Sequence, residues 1–230
     1  MSFVVEGVEE KLVNTKYADA FDICGQAMRE ALDLIRSEGY EDRTGWTLDT
    51  KNDESSVFYK DIDGLRYFTV RTKLTISPED GHRYNWVNVE KMCEWNSNVK
   101  YSEKIDELSE NTDIIHYGSN SVLMVSGRQF LCGRMRRITD GNYMISAKSL
   151  SVDSVPNAKD AVRAQLHLAF GRFREDPQNP SGSIYDYTLC ADLRGMMPQR
   201  LVNQVMGKLL LSDMENTKAH FIRYSSAKNI

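Results

Sequence analysis

The sequence has no paired cysteines, no long apolar run and no excess of positive charge. Its four cysteines are scattered through 230 residues and form no C-x-x-C pair. This argues against a disulfide framework or a zinc site and is typical of reduced thiols in a cytosolic compartment. No apolar run approaches the length of a membrane-spanning helix. The net charge of −4 gives no global basic field for nucleic acid, so no nucleic-acid partner is predicted.

The amino-terminal sequence MSFVVEGVEE lacks the features of a targeting segment. It is acidic, its apolar part is short, and it has none of the arginine-rich character of a mitochondrial presequence. We therefore predict a cytoplasmic protein whose contacts with membranes are peripheral and transient.

Familiar catalytic and metal-binding motifs are also absent. The four histidines belong to no H-E-x-x-H or similar metal motif, and no nucleophile elbow, Walker motif or dinucleotide fingerprint occurs. We predict no metal, no cofactor and no catalytic residue. Residues distant in sequence can meet in a fold, so an enzyme that uses an internal cavity stays open as an alternative.

A long terminal helix is the element around which the predicted fold is organised. Gly195 and Pro198 mark a turn, and Pro198 suits the first turn of a helix. Beyond it, apolar residues recur at spacings of three and four: Leu201, Val202, Val205, Met206, Leu209, Leu210, Met214 and Phe221. The polar residues predicted to lie outside this face are Lys208, Asp213, Glu215 and Lys218. So wide an apolar face needs an apolar partner, and we expect a curved sheet around a lipid-sized cavity.

Two further helices and a series of strands are predicted ahead of this helix. The helices are expected at 17–38 and 79–94, the second with Trp86, Val89 and Met92 as inner residues. Asp63–Gly64 and Asp140–Gly141 are tight-turn signals that join strands into hairpins. Strands are predicted at 46–49, 57–62, 65–74, 113–117, 122–125, 129–138, 143–150, 161–173 and 183–192.

The order of these elements indicates an α+β fold. Few helices separate the strands, so the sheet is expected to be antiparallel rather than parallel and doubly wound. No internal repeat, low-complexity tract or linker divides the chain. We predict a loose lead-in at 1–16, a single domain at 17–226 and a tail at 227–230.

Arg134 is the most informative polar residue. In a strand over 129–138, Phe130, Cys132 and Arg134 share one face, because side chains alternate. Phe130 and Cys132 favour that face as the inner one, which would carry a guanidinium into an apolar interior. A buried arginine stays charged and needs a partner, so it could anchor the polar atom of a ligand. Alternation alone also fits an arginine at the sheet edge, paired to a surface acid.

Basic residues cluster at two places. Arg134, Arg136 and Arg137 share one hairpin, and five basic residues accompany two acids from Pro198 onward. Such patches favour anionic membrane surfaces, although a solvated charged face explains them as well. We predict a monomer that contacts membranes transiently.

Three stretches together resemble the START (StAR-related lipid-transfer) family. They are WNSNVK at 95–100, the strand pair that begins SGRQF at 126–130 and runs through Arg134, and ADLRGMMPQ at 191–199 with NQV at 203–205. Their order and spacing match the family segments W-N-x-N-V, P-R-D-F and D-L-x-G-x-x-P. The resemblance extends over about residues 17–224 and is strongest to the sterol-binding branch of the family.

The resemblance implies a helix-grip fold, in which a curved antiparallel sheet wraps a long carboxy-terminal helix around a tunnel for one lipid. It implies a carrier of a cholesterol-type sterol that performs no covalent catalysis. It places Arg134 in the tunnel, and the 135–143 hairpin corresponds to a segment thought to gate it. The other residues matched to tunnel positions are Asn96, Val99, Phe130, Ile145, Leu166, Tyr187, Leu189, Met206 and Leu209.

Two departures from the family pattern bear on the ligand. The P-R-D-F segment reads GRQF at 127–130, and the acid that accompanies the tunnel arginine falls near Tyr117–Gly118, where no acid stands. Tyr117 can hydrogen-bond but cannot neutralise Arg134. An uncompensated Arg134 would favour an anionic lipid, such as a fatty acid, a bile-acid-like steroid or a phospholipid.

Two other function classes remain open from the sequence. One is a helix-grip enzyme, a cyclase or hydrolase that uses the same cavity. The other is a lipid-gated regulatory module, for which exposed Met196 and Met197 near the tunnel end could serve as a contact.

Overall fold

The computed structural model describes residues 1–121, 126–151, 155, 161–195 and 199–228, with the side chains of 199–201, 203, 204 and 228 left aside. The described residues form a ten-stranded, almost wholly antiparallel sheet with helices on both faces. The predicted α+β class and antiparallel sheet are confirmed. The strand predicted at 122–125, the exposed Met196 and Met197, and the start of the terminal helix at Pro198 lie outside the described residues.

Twelve strands are present in this part of the chain. They are β1 (Ser2–Val5), β2 (Val8–Lys11), β3 (Thr47–Lys51), β4 (Ser56–Ile62), β5 (Leu65–Leu74), β6 (Val99–Ser109), β7 (Thr112–Ser119), β8 (Arg128–Thr139), β9 (Asn142–Ser149), β10 (Val162–Arg163), β11 (Gln165–Asp176) and β12 (Asn179–Asp192). The main sheet has the order β3-β4-β5-β12-β11-β9-β8-β7-β6, and the short β10 pairs with β8. The strands β5 and β12 are third and fourth in this order, and their pairing joins the early and late parts of the chain.

Four α-helices complete the fold: α1 (Ala18–Arg36), α2 (Pro78–Val87), α3 (Met92–Trp95) and α4 (Gln199–Lys228). The helix predicted at 79–94 is interrupted between α2 and α3, where Asn88 leaves the helical conformation and a short 3-10 turn follows. None of the described helices combines the length and the apolarity that a bilayer crossing requires.

Both predicted tight hairpins are present. The turns β4–β5 and β8–β9 place Asp63, Gly64, Asp140 and Gly141 at positive φ angles between 49° and 80°. Two consecutive left-handed residues match the right-handed twist of the flanking strands, which explains the Asp-Gly pairs.

The two faces of the sheet bury separate apolar clusters. One cluster joins α1 to the face that carries Leu131, Met135 and Met144. The other joins α4 to the opposite face, which carries Phe130 and Cys132. Side chains along β8 therefore alternate between the two clusters, as the period of a strand requires.

The predicted loose lead-in is wrong for its first part. Residues 2–11 form the β1–β2 hairpin, and the Phe3 ring packs on Phe21 of α1 with centroids 4.5 Å apart. Gly25 permits this approach, because a Cβ there would lie 2.8 Å from the Phe3 ring. Strand β6 was not predicted from the sequence, because it is an edge strand whose many charged residues obscure its alternation.

Candidate functional site

Two adjoining cavities lie between the sheet and α4. The first has a volume of about 200 Å³, and the second has a volume of about 90 Å³. Val99, Tyr117, Tyr187 and Asp213 line both. These four side chains therefore form the boundary that separates two parts of one interior space.

The walls of this space are mainly apolar. On the first cavity, the strand face contributes Ile115, Ile145 and Leu166, while Val89 closes the side nearest α2 and α3. The strands supply these residues at alternate positions, so the pleat turns one apolar row toward α4. Such walls with a small number of polar groups are typical of a small-molecule site.

Arg134 extends from β8 into the first cavity and is 4% exposed. Its Nε and Nη2 donate hydrogen bonds to the two carboxylate oxygens of Asp113, at 2.9 and 2.6 Å. Nη2 also donates to the carbonyl oxygen of Trp86 at 3.3 Å, and the guanidinium carbon lies 4.4 Å from the Trp86 ring centroid. The inward face inferred for Arg134 from alternation is the one it occupies, and the edge position is wrong.

The partner of Arg134 overturns a second expectation. Asp113 of β7 stands directly opposite Arg134 of β8 in the antiparallel register. The side chains are 3 and 5% exposed respectively, so the pair is buried. Asp113 is four positions before Tyr117 in β7 and shares its face, because side chains alternate. The prediction that Arg134 has no compensating acid is therefore wrong.

The remaining basic residues of this hairpin are paired as well. The Arg136 Nε donates to the Asn111 side chain at 3.0 Å, and its Nη2 lies 3.8 Å from a Glu110 carboxylate oxygen. Arg137 forms a buried ion pair with Glu10 at 3.3 Å. The three arginines thus bind partners within the protein. They do not form the basic membrane patch that was predicted at this hairpin.

The structure brings every residue that was predicted to face the ligand to one or the other cavity. Val99, Tyr117 and Tyr187 line both cavities. The first cavity adds Asn96, Arg134, Ile145 and Leu166, and the second adds Phe130, Leu189, Met206 and Leu209. Tyr117 and Phe130 stack on each other, with ring centroids 5.0 Å apart. Contact of these residues with a ligand stays a prediction.

Asp213 is the cavity residue that the sequence analysis placed wrongly. It was predicted on the solvated face of α4, yet it lines both cavities. It stands seven positions after Met206 and four after Leu209, a spacing that places all three on one helix face. That spacing was the signal available in the sequence, but the charge of Asp213 argued against it.

Hydrogen bonds hold Asp213 in place. Its Oδ1 accepts from the Asn96 side-chain amide at 3.0 Å and from the Asn98 side-chain amide at 2.8 Å. The residue is only half-buried by accessible surface, because its side chain faces the cavities. Burial raises the pKa of the Asp213 carboxyl above its ordinary value, although the two amides act to lower it.

Three tyrosines add phenol groups to the lining of the first cavity. Tyr117, Tyr185 and Tyr187 line the first cavity, and their pKa values are raised by burial, with a smaller contribution from the negative charge of Asp213. Their phenols therefore stay neutral at neutral pH. Neutral phenols can donate or accept a hydrogen bond, which suits a polar group on an uncharged ligand.

Comparisons with known proteins agree with this geometry. The START domain family model matches residues 26–226. Steroidogenic acute regulatory-like protein 1 of Caenorhabditis elegans is 36% identical over 94% of this chain and 83% of its own length. The mitochondrial steroidogenic acute regulatory protein of Danio rerio is 23% identical, and the match covers 80% of this chain but only 64% of that protein.

Solved structures show the same fold. Human StAR-related lipid transfer protein 5 superposes with a TM-score of 0.78 at 17% identity, covering 90% of this chain and 99% of that one. Human STARD10 superposes with a TM-score of 0.74 at 21% identity, covering 89% and 82%. The helix-grip fold expected from the sequence motifs is confirmed. The chain belongs to the START domain family of lipid-transfer proteins.

Proposed function

We propose that this protein carries one neutral, sterol-like lipid of the cholesterol type in its joined cavities and releases it without chemical change. The observation that carries the proposal is Arg134, which lines a mainly apolar cavity while both carboxylate oxygens of Asp113 bind it. The charges of Arg134 and Asp113 cancel, so this pair offers hydrogen bonds without a net charge of its own to be matched. A hydroxyl group can bind such a pair as donor and as acceptor.

The anionic alternative rested on an uncompensated Arg134. Asp113 binds that arginine on two nitrogens, so this ground for an anionic cargo is removed. Asp213 contributes a carboxyl to the cavity lining. A fatty acid or a phospholipid phosphate would meet this negative charge, so a neutral cargo fits better.

The energetics favour a carrier with a closed interior. Burial of apolar surface contributes about 25 cal/mol per Å² relative to water. A lipid that leaves a bilayer gains little of this, because it was already out of water. The apolar walls must therefore match the bilayer, while the few polar groups choose the cargo. We propose that the protein works as a cytoplasmic monomer that visits membrane surfaces transiently.

A competition experiment tests the proposal. Purified, delipidated protein is incubated with an equimolar mixture of a monohydroxy sterol, a fatty acid and a phospholipid, and the complexes are identified by native mass spectrometry. We expect a one-to-one sterol complex to dominate and to transfer sterol between vesicles with the sterol unaltered. Preference for the fatty acid or phospholipid, or conversion of the bound sterol, would overturn the proposal.

A further inference from the structure

Asp213 is an acidic side chain at the junction of the two cavities for which the described residues supply no ion-pair partner. Two arginines line the cavities: Arg134 is paired with Asp113, and Arg128 donates hydrogen bonds to the carbonyl oxygens of Leu193 and Arg194. Lys208 and Glu215 of the same helix are exposed, whereas Asp213 is turned inward. An acid at such a position is costly to desolvate and calls for a hydrogen-bonding partner.

The surroundings of Asp213 fix its orientation. Asn96 and Asn98 both donate to Oδ1. Asn96 is itself held, because its side-chain oxygen accepts from the Asn98 backbone N–H at 3.0 Å and from the Asn216 side-chain amide at 3.2 Å. Within the described part of the chain, Oδ2 accepts no hydrogen bond. One carboxylate oxygen is thus fully used, and the other remains for a ligand.

Three tyrosines line the same cavities as Asp213. Tyr117 and Tyr187 line both cavities together with Asp213, and Tyr185 lines the first. The charge of Asp213 acts on all three phenols. Among the described residues no hydrogen bond engages their hydroxyl groups. The junction of the two cavities is therefore lined by several polar side chains whose hydroxyl groups have no hydrogen-bond partner among the described residues.

The strand register shows how far Tyr117 of this second group lies from the Arg134–Asp113 pair. Asp113 and Arg134 face each other across β7 and β8, and Tyr117 and Phe130 face each other four positions further along the same strands. Four residues of a strand span about 13 Å. A rigid four-ring skeleton with a short side chain can bridge such a distance, with apolar walls between its ends.

We propose that Asp213, with Tyr117 and Tyr187, is a second polar anchor, and that the cargo is a sterol-like lipid with two hydroxyl groups, one at each end. The inference rests on the proposed carrier function and deepens it. One hydroxyl binds the Arg134–Asp113 pair, and the other donates to Asp213. A lipid with a single hydroxyl would leave one of these polar sites buried and unpaired, which disfavours it.

The experiment compares the affinities of two ligands. One is a monohydroxy sterol, and the other is the same sterol with a second hydroxyl on its side chain. Wild-type protein should bind the diol at least about tenfold more tightly, the discrimination expected for one hydrogen bond to a charged group. Asp213→Leu should bring this ratio close to one, by weakening the diol and strengthening the monohydroxy sterol. The matched control is Glu215→Leu, an exposed acid two positions away, which should keep the wild-type ratio.

Two further measurements keep the test decisive. Asp213→Asn preserves the shape and an acceptor for Asn96 and Asn98, so it remains informative if Asp213→Leu fails to fold; it should lower the ratio at least threefold. An amine analogue of the diol distinguishes a hydroxyl from a cation. Tighter binding of the amine than of the diol would overturn the inference, and so would an affinity ratio that the Asp213 variants leave unchanged. In either case, binding of a sterol would still support the carrier function. Failure to bind either sterol would instead overturn the carrier function.

Discussion

Breaking the Arg134–Asp113 pair from its acidic side should change both stability and ligand class. Asp113→Asn keeps the shape of the side chain but removes the charge that compensates Arg134. Both side chains are 5% exposed or less, so water cannot replace the lost carboxylate. Removal of one partner from a buried pair costs about 3–5 kcal/mol. The Trp86 carbonyl and ring still support the guanidinium, so we expect the lower end of that range.

The melting temperature provides the first assay. For a domain of this size, each kcal/mol shifts the melting temperature by about 2–4 °C, so Asp113→Asn should lower it by roughly 6–12 °C. Asp61→Asn is the matched control, because Asp61 binds Arg66 through two hydrogen bonds of 2.7 Å at the exposed surface. That change should cost less than about 1 kcal/mol.

Ligand selection provides the second assay. With Asp113 neutralised, Arg134 becomes an unpaired cation in an apolar cavity, so the variant should gain affinity for a fatty acid and lose its preference for a neutral sterol. The double variant Asp113→Leu with Arg134→Met should restore most of the stability. Its cavity should no longer bind the hydroxyl of a sterol or the carboxylate of a fatty acid. The reasoning is refuted if Asp113→Asn melts within about 2 °C of wild type and selects the same lipid.

Three further outcomes are expected. Arg172 and Arg71 hold the pKa of Asp186 below its ordinary value despite burial. The unfolding free energy of the wild type should therefore fall as the pH drops below about 4. Asp186→Asn should have a lower unfolding free energy that depends less on pH in this range. Met206→Trp should fill the second cavity and abolish sterol uptake at a cost of about 1–3 kcal/mol in unfolding free energy; unchanged uptake would contradict this. Burial lowers the pKa of His82 to about 4, so the unfolded chain takes up the proton at a higher pH than the folded chain does. The unfolding free energy should therefore drop by on the order of 3 kcal/mol from pH 6.5 to 4. In urea titrations, His82→Gln should lack this pH dependence.

Much of the fold followed from local patterns in the sequence. The Asp-Gly turns fixed two hairpins, and the spacing of apolar residues identified the terminal helix, because both signals depend on neighbours in the chain. β6 escaped notice for the opposite reason. It lies at the edge of the sheet, where charged side chains are tolerated and the alternation is hidden.

The cavity was predictable in its apolar walls but not in its polar pairs. Alternation put Arg134 on the face of Phe130 and Cys132 but left an edge position open, and the family resemblance placed it in the tunnel. Its partner depends on the register of β7 against β8, and a shift by two residues would have kept every side chain on its face while moving Asp113 away. Asp213 shows the other limit. Its spacing along α4 predicted an inward position, whereas its charge predicted an outward one. The side-chain amides of Asn96 and Asn98, which bind the carboxylate, favour the inward position.

The seam between β5 and β12 has a consequence for biosynthesis. Strand β5 is complete at Leu74, but the partner that pairs with it ends at Asp192. A ribosome must therefore synthesise most of the polypeptide before β5 can pair with β12. Contacts so distant along the chain make assembly slow and leave unpaired strand edges exposed meanwhile. Nascent chains of this protein should consequently depend on chaperones until nearly the last helix has emerged.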